Sequence, residues 1–185
     1  MVKLNRIYTR TGDTGSAGLV DGSRVSKSSL RMIAIGEVDE ANAAIGLALA
    51  HLEDDESSRQ LLRIQNELFD AGADVATPGE VEGALRITAS QGERLEAEID
   101  AMNADLDPLT SFILPSGSVA VATLHHARTV VRRAERAAVA LNEQEALNPH
   151  LLAYLNRLSD HLFVMARYVA ANNGGDVLWQ PGATR

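Results

Sequence analysis

Apolar residues spaced three and four positions apart run through most of this chain, and that spacing restricts the folds open to it more than any other feature. From about Ser26 to His51 the repeat takes in Leu30, Ile33, Ala34, Val38, Ala41, Ile45, Ala48 and Leu49, with Leu52 just beyond. These positions share one face of a 3.6-residue period and predict a first amphipathic helix. Gly36 and Gly46 weaken it locally and are read as points of close helix approach. Asp54-Asp55-Glu56-Ser57-Ser58 offers negative charge and a capping hydroxyl at the start of a second helix. That helix carries Leu61, Leu62, Gln65, Leu68, Phe69, Gly72 and Val75 and is stopped by Pro78-Gly79. After a loop over 80–87, Thr88-x-x-Gln91 reads as a capping box for a third helix with Leu95, Ile99 and Met102 inward. Ser116 stands where it can cap a fourth, reaching about Leu141. Asn148-Pro149, an N-cap followed by proline at the first helical position, opens a fifth with Leu152, Leu155, Leu158, Leu162, Met165, Ala166 and Val169 inward. Asn172-Asn173-Gly174-Gly175 closes it. Aromatics make up only 4% of the chain while alanine and leucine abound, a balance that favours close-packed helices over strands. Short connections make neighbours antiparallel, so the expectation is an all-α, up-down five-helix bundle.

At 185 residues the chain falls within the range of one domain with one core. We divide it into a loop over 1–25, a bundle over 26–173 and a tail over 174–185 with no assigned structure. There is no cysteine, so disulfides and thiolate metal sites are excluded, in keeping with a reducing compartment. Residues 1–6 do not make a signal peptide, and no apolar run approaches the roughly 18 residues needed to span a bilayer. The expectation is a soluble, cytoplasmic protein with no membrane partner. A net charge of -8 opposes a nucleic-acid partner, because a phosphate backbone demands a basic face. A polyanionic ligand must therefore be met locally.

The stretch Tyr8 to Gly18 could meet one. Gly12, Gly15 and Gly18 permit close backbone approach, while Thr9, Thr11, Thr14 and Ser16 supply hydroxyls and Arg10 and Lys27 supply charge. The alternative is an ordinary solvated loop. Neither the Gly-Lys-Ser/Thr ending of a P-loop nor Gly-x-Gly-x-x-Gly is present, so a nucleotide here needs cationic help from the helices. Arg128, Arg132 and Arg136 stand at successive i, i+4 positions and form one guanidinium column, with Glu135 beside Arg132 and Arg133 about a quarter-turn away. Taken alone, that helix could equally be a solvated face with internal Arg–Glu pairs. Glu37, Asp39, Glu40 and Asn42 likewise read either as a solvated acidic face or as acids meeting a partner's arginine.

Four segments occur in order: Tyr8-Thr9-Arg10-Thr11-Gly12-Asp13-Thr14-Gly15, Val38-Asp39-Glu40, Arg132-Arg133-Ala134-Glu135-Arg136 and Leu155-Asn156-Arg157-Leu158-Ser159-Asp160. Together they resemble the ATP:corrinoid adenosyltransferases of the propanediol-utilisation type, a likeness that extends from Lys3 to about Ala171. The resemblance implies a ferritin-like five-helix subunit in a homotrimer, with ATP and the corrinoid bound where two subunits meet. It implies transfer of the 5′-deoxyadenosyl group of ATP to reduced cobalt, with triphosphate leaving in one piece. It assigns Thr9, Arg10, Thr11, Gly12 and Lys27 to the triphosphate, and Arg132, Arg133, Glu135, Arg136 and Asn156 to the rest of the ATP site. Asp39 would meet Arg132 across the subunit boundary, and Phe112 matches the aromatic residue placed against the corrin. Catalysis would then fall to Arg132, Asp39 and Phe112, with Asp39 and Phe112 also serving the corrinoid. Ala17 falls where a relative uses a serine towards ATP, and Ser16 next door is its candidate replacement. Mg2+ bridging phosphate oxygens suits such a leaving group, with no protein ligand named. A flavoprotein reductase and an adenosylcobalamin-dependent enzyme are the protein partners implied.

Two rival readings stand beside this one. A di-iron carboxylate bundle needs two inward Glu-x-x-His pairs, and the chain has none. His125 and His126 stand about 100° apart on a helix, a poor geometry for sharing a metal. The second rival is a non-catalytic trimer that binds a nucleotide or corrinoid and hands it on.

Overall fold

Helices form where the apolar spacing predicts them, preceded by a short hairpin that it does not predict. In the computed structural model, which describes residues 7–185, the hairpin pairs β1 (Ser16–Gly18) with β2 (Arg24–Ser26) antiparallel. The helices are α1 (Leu30–Leu49), α2 (Asp55–Val75), α3 (Ala89–Ala104), α4 (Val119–Asn142) and α5 (Pro149–Ala171). The reading of residues 1–6 falls outside the described part.

Local chemistry sets the helix ends. Gln91 Oε1 accepts from Thr88 N at 2.8 Å in the expected capping box, and Asn148 Oδ1 accepts from His150 N at 3.0 Å with Pro149 at the first turn. Three other ends differ from expectation. Ser26 belongs to β2, and α1 is capped by Ser29. For α2 the cap is the Asp54 carboxylate, which accepts from Ser57 N at 2.6 Å, where a hydroxyl was expected. Ser118, two residues past Ser116, caps α4.

α1 packs against α2 and α4, α4 against α5, and α5 against α3. Ala34, Val38, Ala41, Ile45 and Ala48 of α1 meet Leu61, Ile64, Leu68, Leu124, Val131, Leu155 and Leu162 in one continuous core. Each fully buried leucine there contributes about 1.5–3 kcal/mol over an exposed one. A side chain at Gly46 would come within 3.0 Å of Gln65 Nε2, so that glycine does mark a close approach. Gly36 faces open space, and Ile33, Leu62 and Phe69 are exposed instead of inward. No described helix is long and apolar enough to cross a membrane.

A part-buried ionic cluster joins α2, α3 and α5. Arg63 donates to both oxygens of Glu98 at 2.5 and 2.8 Å, and His161 Nε2 lies 2.9 Å from Glu98 Oε2. Glu67 accepts from Arg94 at 2.5 Å and from Tyr154 Oη at 2.9 Å. Burial pushes the Glu98 carboxyl up, but the bonds from His161 and Arg63 outweigh it and hold the group at about 2 against an ordinary 4.5. The unfolded chain therefore takes up the proton first. The stabilisation is complete above about pH 4.5 and is lost as pH falls towards about 2. Glu98→Gln is expected to lower stability by about 2 kcal/mol at neutral pH, with the gap closing in acid. Urea midpoints of both proteins between neutral pH and pH 3 check this; a gap that stays constant would contradict it.

At the end of the bundle where α1 starts and α2 stops, buried Arg31 donates to Val75 O at 2.5 Å and pairs with Glu145 at 2.6 Å. Val20 N of the hairpin donates to Ala76 O at 3.1 Å. The hairpin turn is thus tied to that end.

Candidate active site

Glycine and threonine shape the loop as the sequence suggests. Gly15 has φ +83°, and Arg10, unusually for a side-chain-bearing residue, has φ +62°. Asp13 N donates to Arg10 O at 3.3 Å, Gly15 N to Gly12 O at 3.1 Å and Lys27 N to Gly15 O at 2.9 Å. The Thr9 and Thr11 hydroxyls are 2.8 Å apart. A side chain at Gly12 would come 3.0 Å from Lys27 Nζ, so the ammonium lies across that glycine. Ala17 pairs with Val25, and successive strand residues face opposite ways. Ser16, whose Oγ accepts from Arg24 at 2.9 Å, therefore presents its hydroxyl on the other side of the hairpin from the Ala17 side chain.

On α4 the arginines have different uses. Arg133 pairs with Glu37 at 2.5 Å and with Glu40, both on α1 of the same chain, and these acids raise its pKa. Its guanidinium is committed to the fold. Glu135 Oε1 accepts from Asn156 Nδ2 at 2.9 Å, which brings those two site candidates together across α4 and α5. Arg132 and Arg136 are exposed; Arg136 donates to Arg132 O at 3.0 Å, and neither meets a carboxylate among the described residues. Ion pairing within the chain thus accounts for Arg133, while Arg132 and Arg136 stay open to solvent.

Beyond α3, Leu109–Gly117 carries Phe112, which is 77% exposed and so does not plug the bundle. The tail, which the sequence left unassigned, supports it: Trp179 N donates to Phe112 O at 2.7 Å and the two rings meet edge-on at 6.0 Å. Phe112, Leu109, Ile113, Arg128 and Phe163 line a cavity of about 650 Å3. Arg128 lies over the Phe163 ring at 6.0 Å, its Nε without a partner and its pKa lowered by burial and by Arg132. His125 is buried against Phe163 and held down by burial and by Arg128, while His126 is exposed. Phe163 and Trp179 were missed by the sequence reading; one sits in an ordinary helical repeat, and the other is the sole tryptophan of the chain.

Asp39, exposed and without a cationic partner among the described residues, lies in a groove of about 440 Å3 between α1 and α2, with Met32, Ile35, Gly36 and Phe69. Within the chain, no described hydrogen bond or ion pair joins the N-terminal loop to Arg132 or Arg136.

A sequence model described as cobalamin adenosyltransferase matches residues 7–169. The chain is 53% identical over 190 residues to a corrinoid adenosyltransferase of Mycobacterium tuberculosis (strain H37Rv), covering 100% of this chain and 97% of the relative. It is 46% identical over 183 residues to a corrinoid adenosyltransferase of Bacillus subtilis, covering 96% and 94%. A solved structure of a phenylalanine-to-alanine variant of a PduO-type ATP:corrinoid adenosyltransferase from Lactobacillus reuteri, complexed with cobalamin and ATP, superposes with a TM-score of 0.90 at 35% identity. That match covers 95% of this chain and 99% of the other. An arginine-to-lysine variant from the same organism, complexed with ATP, gives 0.88 at 35% identity over 94% of this chain and 100% of the other. The chain belongs to the cobalamin adenosyltransferase family.

Proposed function

We propose that this chain moves the 5′-deoxyadenosyl group of ATP to the reduced cobalt of a corrinoid, at a site shared between neighbouring subunits of a homotrimer. The observation that carries the reading is the free Arg132–Arg136 face beside the Glu135–Asn156 pair, because planar guanidinium groups without carboxylate partners suit a polyphosphate. The groove around Asp39 supports a shared site: Phe69, 72% exposed, is a large apolar side chain for a neighbouring subunit to cover.

The reaction needs little from the protein beyond placement. Cobalt(I) of the substrate supplies an electron pair to C5′, the C5′–O5′ bond breaks, and that bond's electrons leave with triphosphate as cobalt becomes cobalt(III). Thr9, Arg10, Thr11, Gly12 and Lys27 hold the phosphates, and Arg132 and Arg136 neutralise the charge that grows as triphosphate departs. Among the described residues no three His, Cys, Asp or Glu side chains converge on one point. A Mg2+ ion would then be carried on phosphate oxygens and water, with hydroxyls such as those of Thr9 and Thr11 as the oxygen donors the loop offers. Bound there, the ion would neutralise phosphate charge. A flavoprotein reductase fits as the source of the electron that makes cobalt(I), and an adenosylcobalamin-dependent enzyme as the acceptor of product, both in the cytoplasm.

Incubation with ATP and chemically reduced cobalamin tests this, followed by the absorbance change as the cobalt–carbon bond forms. Binding of both ligands without that change would favour the carrier reading. Arg136→Ala is expected to raise the KM for ATP or lower kcat by about 100-fold while sizing chromatography shows the assembly intact. Wild-type kinetics in this variant would remove Arg136 from the site.

A further inference from the structure

Arg24, on β2, reaches back across the hairpin and holds both ends of the Thr11–Ser16 loop. Its Nη2 donates to Thr11 O at 2.8 Å, to Ser16 O at 3.1 Å and to Ser16 Oγ at 2.9 Å, and its Nε donates to Ser16 Oγ at 3.2 Å. It meets no carboxylate among the described residues. Three acceptors on one guanidinium, two of them backbone carbonyls five residues apart, make a clasp that only a planar fork of donors can provide.

The clasp bears on the loop's electrostatics. A carbonyl oxygen facing a bound phosphate would repel it; here two are turned onto a cation. Among the described residues, the N–H groups of Thr11, Gly12 and Thr14 have no acceptor and remain available to an anion. Arg10, immediately before the clasped Thr11, holds the left-handed φ of +62° that a residue with a side chain keeps only where its surroundings impose it. Both lone pairs of Ser16 Oγ are directed at Arg24, so its own proton points elsewhere as a donor.

We propose that Arg24 is a positioning residue for nucleotide binding: it pre-forms the phosphate loop before ATP arrives, without itself contacting the phosphates. This rests on the ATP-binding reading of the loop. Binding to a loop already in shape avoids the cost of ordering it, so loss of the clasp weakens ATP capture and leaves the chemical step alone.

The test compares wild type with Arg24→Ala and Arg24→Lys. Hydrogen exchange without ligand is expected to show loss of protection at the hydrogen-bonded amides within residues 11–16, those of Asp13 and Gly15, in both variants, with unchanged melting temperature. The KM for ATP is expected to rise about tenfold, with kcat within about twofold and the KM for the corrinoid unaltered. Lysine is expected to behave as alanine does, since it keeps the charge and loses the fork. Full rescue by lysine, or unchanged exchange over residues 11–16, would overturn the clasp and leave a charge effect. A collapse of kcat at constant KM would make Arg24 a contact of the departing triphosphate, which also overturns it. Calorimetry of wild type with Mg-ATP separates the two readings: no binding there removes the nucleotide assignment, while the exchange comparison still decides whether Arg24 orders the loop.

Discussion

Phe112→Ala is expected to cut turnover from cobalt(II), coupled to a biological reductant, by about 10- to 100-fold while affecting the reaction of ready-made cobalt(I) much less. Cobalt(II) with an axial ligand is hard to reduce, because that ligand raises the orbital that must accept the electron. An apolar ring against the lower corrin face excludes both water and the corrinoid's own base, which eases reduction. Phe112 is suited to this: it is 77% exposed, steadied edge-on by Trp179 at 6.0 Å, and stands at a cavity that Phe163 and Arg128 also line. Because the ring is outside the core, the alanine variant is expected to melt close to wild type; a buried phenylalanine would cost about 3–5 kcal/mol. Phe112→Trp is expected to be milder. Proportional loss of both activities, together with a melting temperature several degrees lower, would show a structural residue and remove the corrin face from this connector.

What was legible in the sequence was mostly local. Thr88 with Gln91, and Asn148 with Pro149, carry their meaning within a few residues, and both caps formed as expected. Where several hydroxyls were within reach the sequence could not choose among them, so Ser118 took the place of Ser116 as the cap of α4 and α1 began at Ser29, later than the expected start near Ser26. Periodicity marks an apolar face without saying what covers it: Ile33, Leu62 and Phe69 keep the helical spacing of core residues and are exposed on the single chain. The hairpin was missed because each strand is three residues long, too short for alternation to register, although Asp21-Gly22 between them is a turn signal. The tail was missed for a related reason. Its bridge between Leu178 and Ile113 is a long-range pairing with no local signature. Site candidates fared by the same rule. Glu135 and Asn156 were brought together by helix packing, whereas Arg133, adjacent to Arg132 in sequence, turned to Glu37 and Glu40.

Asp39 and Arg132 are expected to be coupled across a subunit boundary. Asp39 lies in a partly apolar groove and meets no cation in its own chain among the described residues, and Arg132 meets no carboxylate there. A subunit that covers the groove must either pair the carboxylate or strand it, and stranding one member of a buried pair costs about 3–5 kcal/mol. Asp39→Asn is therefore expected to lower activity and weaken assembly, and Arg132→Lys to lower activity by removing the bidentate fork. The two losses are expected to be non-additive by about 1.5 kcal/mol or more in a double-mutant cycle on kcat/KM and on the subunit dissociation constant. Additivity within about 0.5 kcal/mol would exclude direct contact. The same cycle with Arg128→Lys locates the partner. Arg128 is half-buried one helical turn away with an unpartnered Nε, so coupling to it alone would shift the contact of Asp39 towards the Phe112 cavity and free Arg132 entirely for the triphosphate.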